Sequence, residues 1–336
     1  MTDFEAISSM LTYCRPANSP TEARFIERFL KPLGVTRDKF GNYFLKIGEA
    51  PTILWSSHTD SVHHRDGMQA LDFDGTYLKL TADSKSNCLG SDDAAGMWIM
   101  SEMIKAKVPG LYVFHYAEEI GCVGSRAIAS KNPSFLSGIK AAVAFDRKGI
   151  DSVITHQKSR CCSDTFGFSI AEQLPKRFKL DPTGILTDTK QYMKLVPECT
   201  NLSVGYYDEH RPNERLDVKH LIELRNHMIN IDASKLVIER DPTYVAPKKK
   251  LVPVSSIGAL RSFRALLPSE ISDLVWTYPR LVAQFLEREC NVTFDELDEY
   301  IQNGGEAFHL FDDEDEDEDE DGGIFSGELP PLRRRA

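Results

Sequence analysis

Carboxylate and imidazole side chains recur in this 336-residue chain at the points where apolar segments end. A further acidic pair lies between two of these segments, where the sequence takes on a helical period. In an open α/β sheet, ligands bind beyond the carboxyl ends of the strands, so we expect these side chains to converge. The segments and the residues that follow them are TILWSS with His58 and Asp60, LYVFHYA with Glu118 and Glu119, AAVAF with Asp146, and TNLSVG with His210, and the intervening pair is Asp92 and Asp93 in LGSDDAAG.

Such a group of acidic side chains indicates a bound cation. Several carboxylates in one place raise one another's pKa unless a positive charge lies among them. Oxygen and nitrogen donors without a thiolate favour zinc, cobalt or manganese in a hydrolytic site. Two metal ions that share a carboxylate can polarise a carbonyl group and activate water. We therefore predict two divalent ions as cofactors, with Zn²⁺ first and Co²⁺ or Mn²⁺ as alternatives.

Each motif taken alone also fits a simpler interpretation. Glu118 and Glu119 could be a solvated pair in the first turn of a helix, where the helix dipole favours acidic residues. Asp146 could be a turn residue, and His210 could lie in a polar surface loop. The metal-site hypothesis is preferred because all the motifs indicate the same edge of one sheet.

The elements that position these residues predict an α/β fold. Apolar strands alternate with amphipathic helices, which is typical of a three-layer sandwich whose mostly parallel, mixed central sheet has helices on both faces. In the first long helix, SPTEARFIERFLKPLG, Ser19 is the predicted cap and Gly34 the predicted end. TDTKQYMKLV is predicted to be another helix, and FDGTYLKLTAD a further short strand.

Composition divides the chain into four predicted regions: a catalytic domain over residues 1–240, a linker over 241–255, a small helical region over 256–303 and a disordered acidic tail over 304–336. The net charge is −11, but ten negative charges lie in residues 312–321, so the remaining chain carries only −1. Without a clustered basic face, we do not expect nucleic-acid binding. The tail could increase solubility or bind an unknown protein partner, and both interpretations stay open.

Cysteine usage and hydropathy predict a cytoplasmic protein. The seven cysteines include no C-x-x-C pair, which favours reduced thiols over disulfides or a thiolate zinc site. The amino terminus lacks the pattern of a secretory signal. No run of about 18 apolar residues is present, so we expect no membrane span.

Five motifs occur in the order HTD, GSDDAAG, AEEIG, FDRKG and HRPNE, and the resemblance that they carry covers roughly residues 15 to 232. In this set the sequence resembles the co-catalytic zinc exopeptidases of peptidase clan MH, which include bacterial leucyl aminopeptidase, peptidase T and the glutamyl aminopeptidases. Larger relatives carry a lid domain, often between the third acidic ligand and the last histidine. Only 63 residues separate Asp146 from His210 here, so the chain resembles the compact branch without a lid.

The resemblance implies a ligand role for five residues. His58 and Asp146 would bind one metal ion, and Glu119 and His210 would bind the other. Asp92 would bridge the two ions.

The resemblance also implies a catalytic role for two residues. Glu118 would be the general base that takes a proton from the attacking water and passes it to the leaving amine. Asp60 would orient His58, as metal-binding imidazoles usually require. Asp93 is kept as the alternative bridge. Thr187 and Asp188 are expected to shape the floor of the pocket.

Four further residues near strand ends are open candidates. Tyr206 and Tyr207 could donate a hydrogen bond to a developing oxyanion. His156 and Arg160 could line the substrate pocket.

The implied function is that of an aminopeptidase, which removes amino-terminal residues from a short peptide or aminoacyl substrate. One alternative keeps the site and changes the substrate, giving an amidohydrolase or deacylase that acts on N-acyl amino acids. A second alternative is a catalytically inactive binding or scaffold protein. The retention of Asp92, Glu118 and Glu119 favours an enzyme.

Overall fold

The structure is a computed structural model that describes residues 2–243. The predicted helical region over 256–303 and the acidic tail over 304–336 lie outside the described residues. So does most of the linker predicted over 241–255.

Sixteen strands are present in the described part of the chain. In chain order they are β1 (Tyr13–Cys14), β2 (Thr36–Arg37), β3 (Tyr43–Ile47), β4 (Ile53–His58), β5 (Gly67–Met68), β6 (Leu71–Phe73), β7 (Tyr77–Leu80), β8 (Gly110–His115), β9 (Ala141–Arg147), β10 (Ser152–Ile154), β11 (His156–Gln157), β12 (Ser159–Arg160), β13 (Lys179–Asp181), β14 (Glu198–Ser203), β15 (Tyr206–Tyr207) and β16 (Arg215–Asp217).

Six α-helices accompany them within residues 2–243: α1 (Asp3–Leu11), α2 (Pro20–Phe25), α3 (Ser91–Lys105), α4 (Val123–Lys131), α5 (Asp164–Ala171) and α6 (Val218–Met228). A π-helical turn, Ile26–Leu30, continues α2, and 3₁₀ helices cover Lys31–Leu33, Pro133–Leu136, Asp188–Tyr192 and Ala233–Lys235.

The central sheet has eight strands in the order β13-β10-β14-β9-β4-β8-β3-β2. Its middle four, β14, β9, β4 and β8, are mutually parallel, so their carboxyl ends lie at one edge. The sheet is mixed because β10 runs antiparallel to β14 and β3 runs antiparallel to β8. This arrangement confirms the predicted α/β class.

Alternate residues of the middle strands face the two helical layers. Trp55 of β4 packs into the larger core, where its ring lies 6.0 Å from that of Phe145 and the helices contribute residues such as Trp98. Its neighbour Leu54 faces the smaller core, together with Ile128 of α4. Every residue of β4 and β8 is buried, which explains the apolar residues in the first half of β4 and in most of β8.

The predicted limits of the first long helix, Ser19 and Gly34, are confirmed. The Ser19 hydroxyl accepts a hydrogen bond from the backbone N–H of Glu22, and Gly34 ends the segment with a left-handed φ of 84°. Between these residues the helix changes from α to π and then to 3₁₀ geometry, where Pro32 cannot donate a backbone hydrogen bond.

One sequence prediction needs correction. TDTKQYMKLV was expected to be a full helix, but only a 3₁₀ helix over Asp188–Tyr192 forms. Thr187 donates a hydrogen bond to Asp146 and Asp188 accepts one from Ser125, so these tertiary contacts fix the position of the segment, and Thr187 itself is extended. The short strand predicted within FDGTYLKLTAD is confirmed as β7, which lies in a separate four-stranded sheet with the order β15-β16-β7-β6.

The longest α-helix of the described residues, α3, has 15 residues, and none of the helices there is long and apolar enough to cross a bilayer.

Candidate metal centre

His58 is the last residue of β4, and its ring is fully buried. Its Nδ1 lies 3.2 Å from the backbone oxygen of Asp60 and 3.4 Å from the Asp60 carboxylate. The same carboxylate accepts the backbone N–H groups of Glu118, at 3.0 Å, and Glu119, at 3.2 Å. Asp60 therefore joins the end of β4 to the loop after β8 and leaves Nε2 of His58 facing the carboxylates of Asp92 and Asp146.

Asp92 faces two imidazoles, one with each carboxylate oxygen. Its Oδ1 lies 2.9 Å from Nε2 of His58, and its Oδ2 lies 3.2 Å from Nε2 of His210. Both aspartates have non-helical dihedral angles at the start of α3, and the peptide bond between Asp92 and Asp93 is cis.

Asp93 is directed away from the two imidazoles. Its Oδ2 accepts the Ser57 hydroxyl at 2.5 Å and the His58 N–H at 3.3 Å, and its Oδ1 accepts the Gly96 N–H at 3.0 Å. Of the two predicted candidates for the bridge, the geometry therefore favours Asp92.

Asp146 approaches the same point from β9. Its Oδ1 lies 3.8 Å from Nε2 of His58. Two hydroxyl groups hold the carboxylate, that of Thr187 at 2.7 Å and that of Tyr206 at 3.0 Å. Asn201 fixes the backbone behind it, accepting the Asp146 N–H at 2.8 Å and donating to its carbonyl oxygen at 2.7 Å.

Glu119 and His210 complete the group. Oε2 of Glu119 lies 3.3 Å from Nε2 of His210. Oε1 of Glu119 is buried and has no hydrogen-bond partner among the residues that the structure describes. His210 is on a loop, with a left-handed φ of 65° and its side chain 46% exposed.

These contacts form two ligand triads that share one residue. In each triad, one donor atom per residue lies within 4.8 Å of the other two. The donors are carboxylate oxygens and imidazole nitrogens, which suit a divalent cation such as Zn²⁺. The unpartnered Oε1 of Glu119 is a further buried acceptor that a cation would satisfy. The triads are His58, Asp92 and Asp146, and Asp92, Glu119 and His210.

Protein groups alone leave this centre with unfavourable electrostatics. Burial raises the pKa of Glu118 to about 9, with nearby carboxylates adding to the shift. Burial and Asp92 raise the pKa of Glu119 to about 7, and they also raise the pKa of Asp146. Hydrogen bonds to Asp92 and Glu119 raise the pKa of His210 to about 11. Bound cations would favour the ionised carboxylates and offset this cost.

The centre opens into a cavity of about 290 Å³. Glu118 lines this cavity but belongs to neither triad. Its Oε1 accepts a weak hydrogen bond from the Cys122 thiol, at 3.4 Å. Around it the cavity contains both apolar groups, such as Ile154 and Leu186, and polar ones, such as Gln157.

The open candidates separate into two groups. The Tyr206 hydroxyl lies at the metal centre, where it donates a hydrogen bond to Asp146. The Tyr207 ring instead packs against the ring of Tyr77 and the guanidinium group of Arg215. Thr187 lines the cavity as expected.

The other three candidates, His156, Arg160 and Asp188, are not among the described residues that line the cavity. His156 and Arg160 pair within the β11–β12 hairpin, and Arg160 contacts Asp164. Asp188 is buried, where its carboxylate accepts the Ser125 hydroxyl at 2.5 Å.

Sequence reasoning missed two supporting residues. Asn201 is a polar residue inside the apolar strand β14, and that unusual position was the available signal. Glu214 is the last residue of the HRPNE motif, and it is fully buried against the loop that carries Asp92. The motif indicated an acidic residue there, but not what it contacts.

No protein-family model matches the chain, and no curated protein matches its sequence. Solved structures do match. Aminopeptidase PepT from Bacillus cereus aligns with a TM-score of 0.52 and 14% identity over 68% of this chain and 96% of its own. A tripeptidase from Staphylococcus aureus gives a TM-score of 0.51 and 15% identity over 68% of this chain and 96% of its own.

The TET1 peptidase of Pyrococcus horikoshii also aligns, with a TM-score of 0.51 and 15% identity over 68% of this chain and 98% of its own. The chain has the fold of the clan MH exopeptidases. At these identities the likeness is one of fold. The alignment spans nearly the whole length of each of the three relatives.

Proposed function

We propose that this protein is a metal-dependent hydrolase that removes amino-terminal residues from short peptides. The observation that supports this most directly is the position of Asp92, whose two oxygens face His58 at 2.9 Å and His210 at 3.2 Å. A carboxylate placed between two ligand sets is what a dinuclear hydrolytic site requires.

In this proposal, His58 and Asp146 hold one divalent cation, Glu119 and His210 hold the other, and Asp92 is shared. Zn²⁺ fits the donor set first, with Co²⁺ or Mn²⁺ as alternatives. When bound, the cations supply Lewis-acid polarisation of the scissile carbonyl group and a lowered pKa for water.

Glu118 is the proposed general base. It lines the cavity beside the triads without belonging to either. Its carboxylate takes a proton from the attacking water and passes it to the leaving amine. Asp60 positions the base and a ligand together, because its carboxylate holds the Glu118 backbone N–H and also lies against His58.

One feature of the cavity favours the alternative substrate, an N-acyl amino acid. Arg147 and Lys148 line the cavity directly after Asp146, and a basic side chain there would suit a substrate carboxylate. Both are already engaged, Arg147 with Asp181 at 3.4 Å and Lys148 with Glu209 at 2.8 Å. We therefore keep the peptide as the first substrate class.

The test is a substrate panel with the zinc-loaded, full-length protein. Aminoacyl anilides and tripeptides with a free amino terminus are compared with the same tripeptides acetylated and with N-acetyl amino acids. The proposal predicts turnover of the free-amine substrates alone. Turnover of N-acetyl amino acids alone would favour the deacylase, and a zinc-loaded protein that hydrolyses neither class would favour the binding or scaffold protein.

A further inference from the structure

Glu214 is a fully buried carboxylate in the loop that leads into β16. Its Oε2 accepts the backbone N–H groups of Leu89, at 2.9 Å, and Gly90, at 3.1 Å. Its Oε1 accepts the N–H of Ser91 at 2.8 Å, together with the Ser91 hydroxyl. One side chain therefore holds three successive residues of a loop more than 120 positions earlier in the chain.

Burying this carboxylate is costly, which suggests that it has a specific role. Within residues 2–243, no salt bridge to a basic side chain involves Glu214, so N–H and O–H groups stabilise its charge. The residues that it holds lead directly into Asp92, whose own N–H lies 3.4 Å from Oε1 of Glu214.

The loop that carries Glu214 also carries His210. The backbone N–H of Glu214 donates to the carbonyl oxygen of Arg211 at 3.0 Å, which makes the segment a compact turn. An ion pair between Asp208 and Arg215 joins the two ends of the loop. The His210 end faces the Asp92 side chain, and the Glu214 end binds the backbone just before Asp92.

A different residue holds the Asp92 loop to the first triad. Arg15 is fully buried and donates from Nη2 to the carbonyl oxygen of Gly90 and from Nε to that of Thr59, both at 3.1 Å. Thr59 directly follows His58. The loop before Asp92 is thus fixed to the His58 strand by Arg15 and to the His210 loop by Glu214.

From this geometry we infer that Glu214 is a positioning residue that sets the separation between Asp92 and His210, and so shapes the cation site formed by Asp92, Glu119 and His210. The inference rests on the proposed function, because it assigns Glu214 a role in that metal centre. It predicts that a defect at Glu214 weakens one of two cation sites more than the other.

The experiment measures zinc affinity of the full-length Glu214→Gln variant by competition with a chromophoric chelator. Glutamine keeps the size of the side chain but sets an NH₂ group against backbone N–H donors. Loss of a residue that supports a metal ligand typically weakens metal binding by roughly 10- to 100-fold. We expect that loss at the site formed by Asp92, Glu119 and His210. The site formed by His58, Asp92 and Asp146 should keep near wild-type affinity.

Glu198→Gln is the matched control. Glu198 is also fully buried and accepts the backbone N–H groups of Ser163, Glu239 and Arg240, at 2.7, 2.8 and 2.8 Å. It begins β14, at the end of the strand opposite the metal centre. Glu198→Gln should therefore be destabilised in a similar way and still bind zinc as the wild type does.

The outcomes separate this inference from the proposed function. Wild-type protein that binds no zinc overturns both. If the wild type binds two ions, the inference alone is overturned by either of two results. One is unchanged zinc affinity in Glu214→Gln, and the other is an equal loss of zinc affinity in the Glu198→Gln control. If circular dichroism shows that Glu214→Gln does not fold, the Ser91→Ala variant is measured instead. It removes one hydrogen-bond donor to Glu214 and should weaken the same site. Unchanged zinc affinity in that variant overturns the inference.

Discussion

Replacing Glu118 with glutamine should abolish most turnover while both cations stay bound. The substitution keeps the size of the side chain and the backbone hydrogen bond to Asp60 at 3.0 Å. Among the described residues, the only side-chain hydrogen-bond partner of Glu118 is the Cys122 thiol at 3.4 Å, so little hydrogen bonding is lost. Neither ligand triad contains Glu118, and the cation sites are therefore left intact.

The size of the effect follows from the role assigned to the carboxylate. General acid–base catalysis typically contributes roughly 10²- to 10⁴-fold to the rate. That range corresponds to about 2.7 to 5.4 kcal/mol of transition-state stabilisation, at about 1.36 kcal/mol per factor of ten. Because the proton transfer occurs only in the chemical step, kcat and kcat/KM should fall together.

The assay is steady-state hydrolysis of an aminoacyl anilide, with zinc content measured on the same samples. Glu172→Gln is the control, since Glu172 is an exposed residue at the end of α5 and should retain full activity. Wild-type turnover in a fully loaded Glu118→Gln protein would refute the role of Glu118 as base. Loss of zinc from that variant would instead assign Glu118 to the ligands and contradict the geometry.

Three further predictions concern stability and metal affinity. Without cations, the raised pKa values of Glu118, about 9, and Glu119, about 7, favour the folded state most at low pH, so stability is lost as pH rises through these values. The unfolding temperature of metal-free protein should therefore fall between pH 7 and 9, and saturating zinc should reduce that fall; a flat profile would contradict the shifts. Thr187→Val removes the hydroxyl that holds Asp146 at 2.7 Å and should weaken zinc binding roughly 10-fold or more in chelator competition; unchanged affinity counts against that contact. Trp55→Ala empties a fully buried site and should cost about 3–5 kcal/mol in urea unfolding, whereas a loss of about 0.5 kcal/mol, the size of a surface effect, would disprove its place in the core.

Much of this arrangement could be predicted from sequence because strand ends are easy to locate. The apolar segments that become β4, β8 and β9 end at or near His58, Glu118 and Asp146. Parallel strands place their carboxyl ends at one edge, so convergence of these residues follows from the fold class.

The choice between Asp92 and Asp93 could not be predicted from residue types. Both are aspartates at the start of α3, and their different directions depend on non-helical backbone angles and on partners such as Ser57 and Gly96. The resemblance favoured the first aspartate, and the contacts of the two side chains agree with it.

Long-range polar contacts were also beyond sequence reasoning. Glu214 lies more than 120 positions from the backbone groups that it holds, and nothing in local periodicity pairs those segments. The failed helix prediction for TDTKQYMKLV has the same origin, because the hydrogen bonds of Thr187 and Asp188 join that segment to Asp146 and Ser125.

The measurement that tests the central claim most directly is zinc stoichiometry of the full-length protein, determined by elemental analysis after dialysis against buffered zinc. We predict two ions per chain for the wild type, and a defect at both sites in Asp92→Asn, because Asp92 belongs to both triads. A wild-type protein that retains no zinc, or an Asp92→Asn protein that retains two ions with wild-type affinity, would contradict a shared dinuclear centre.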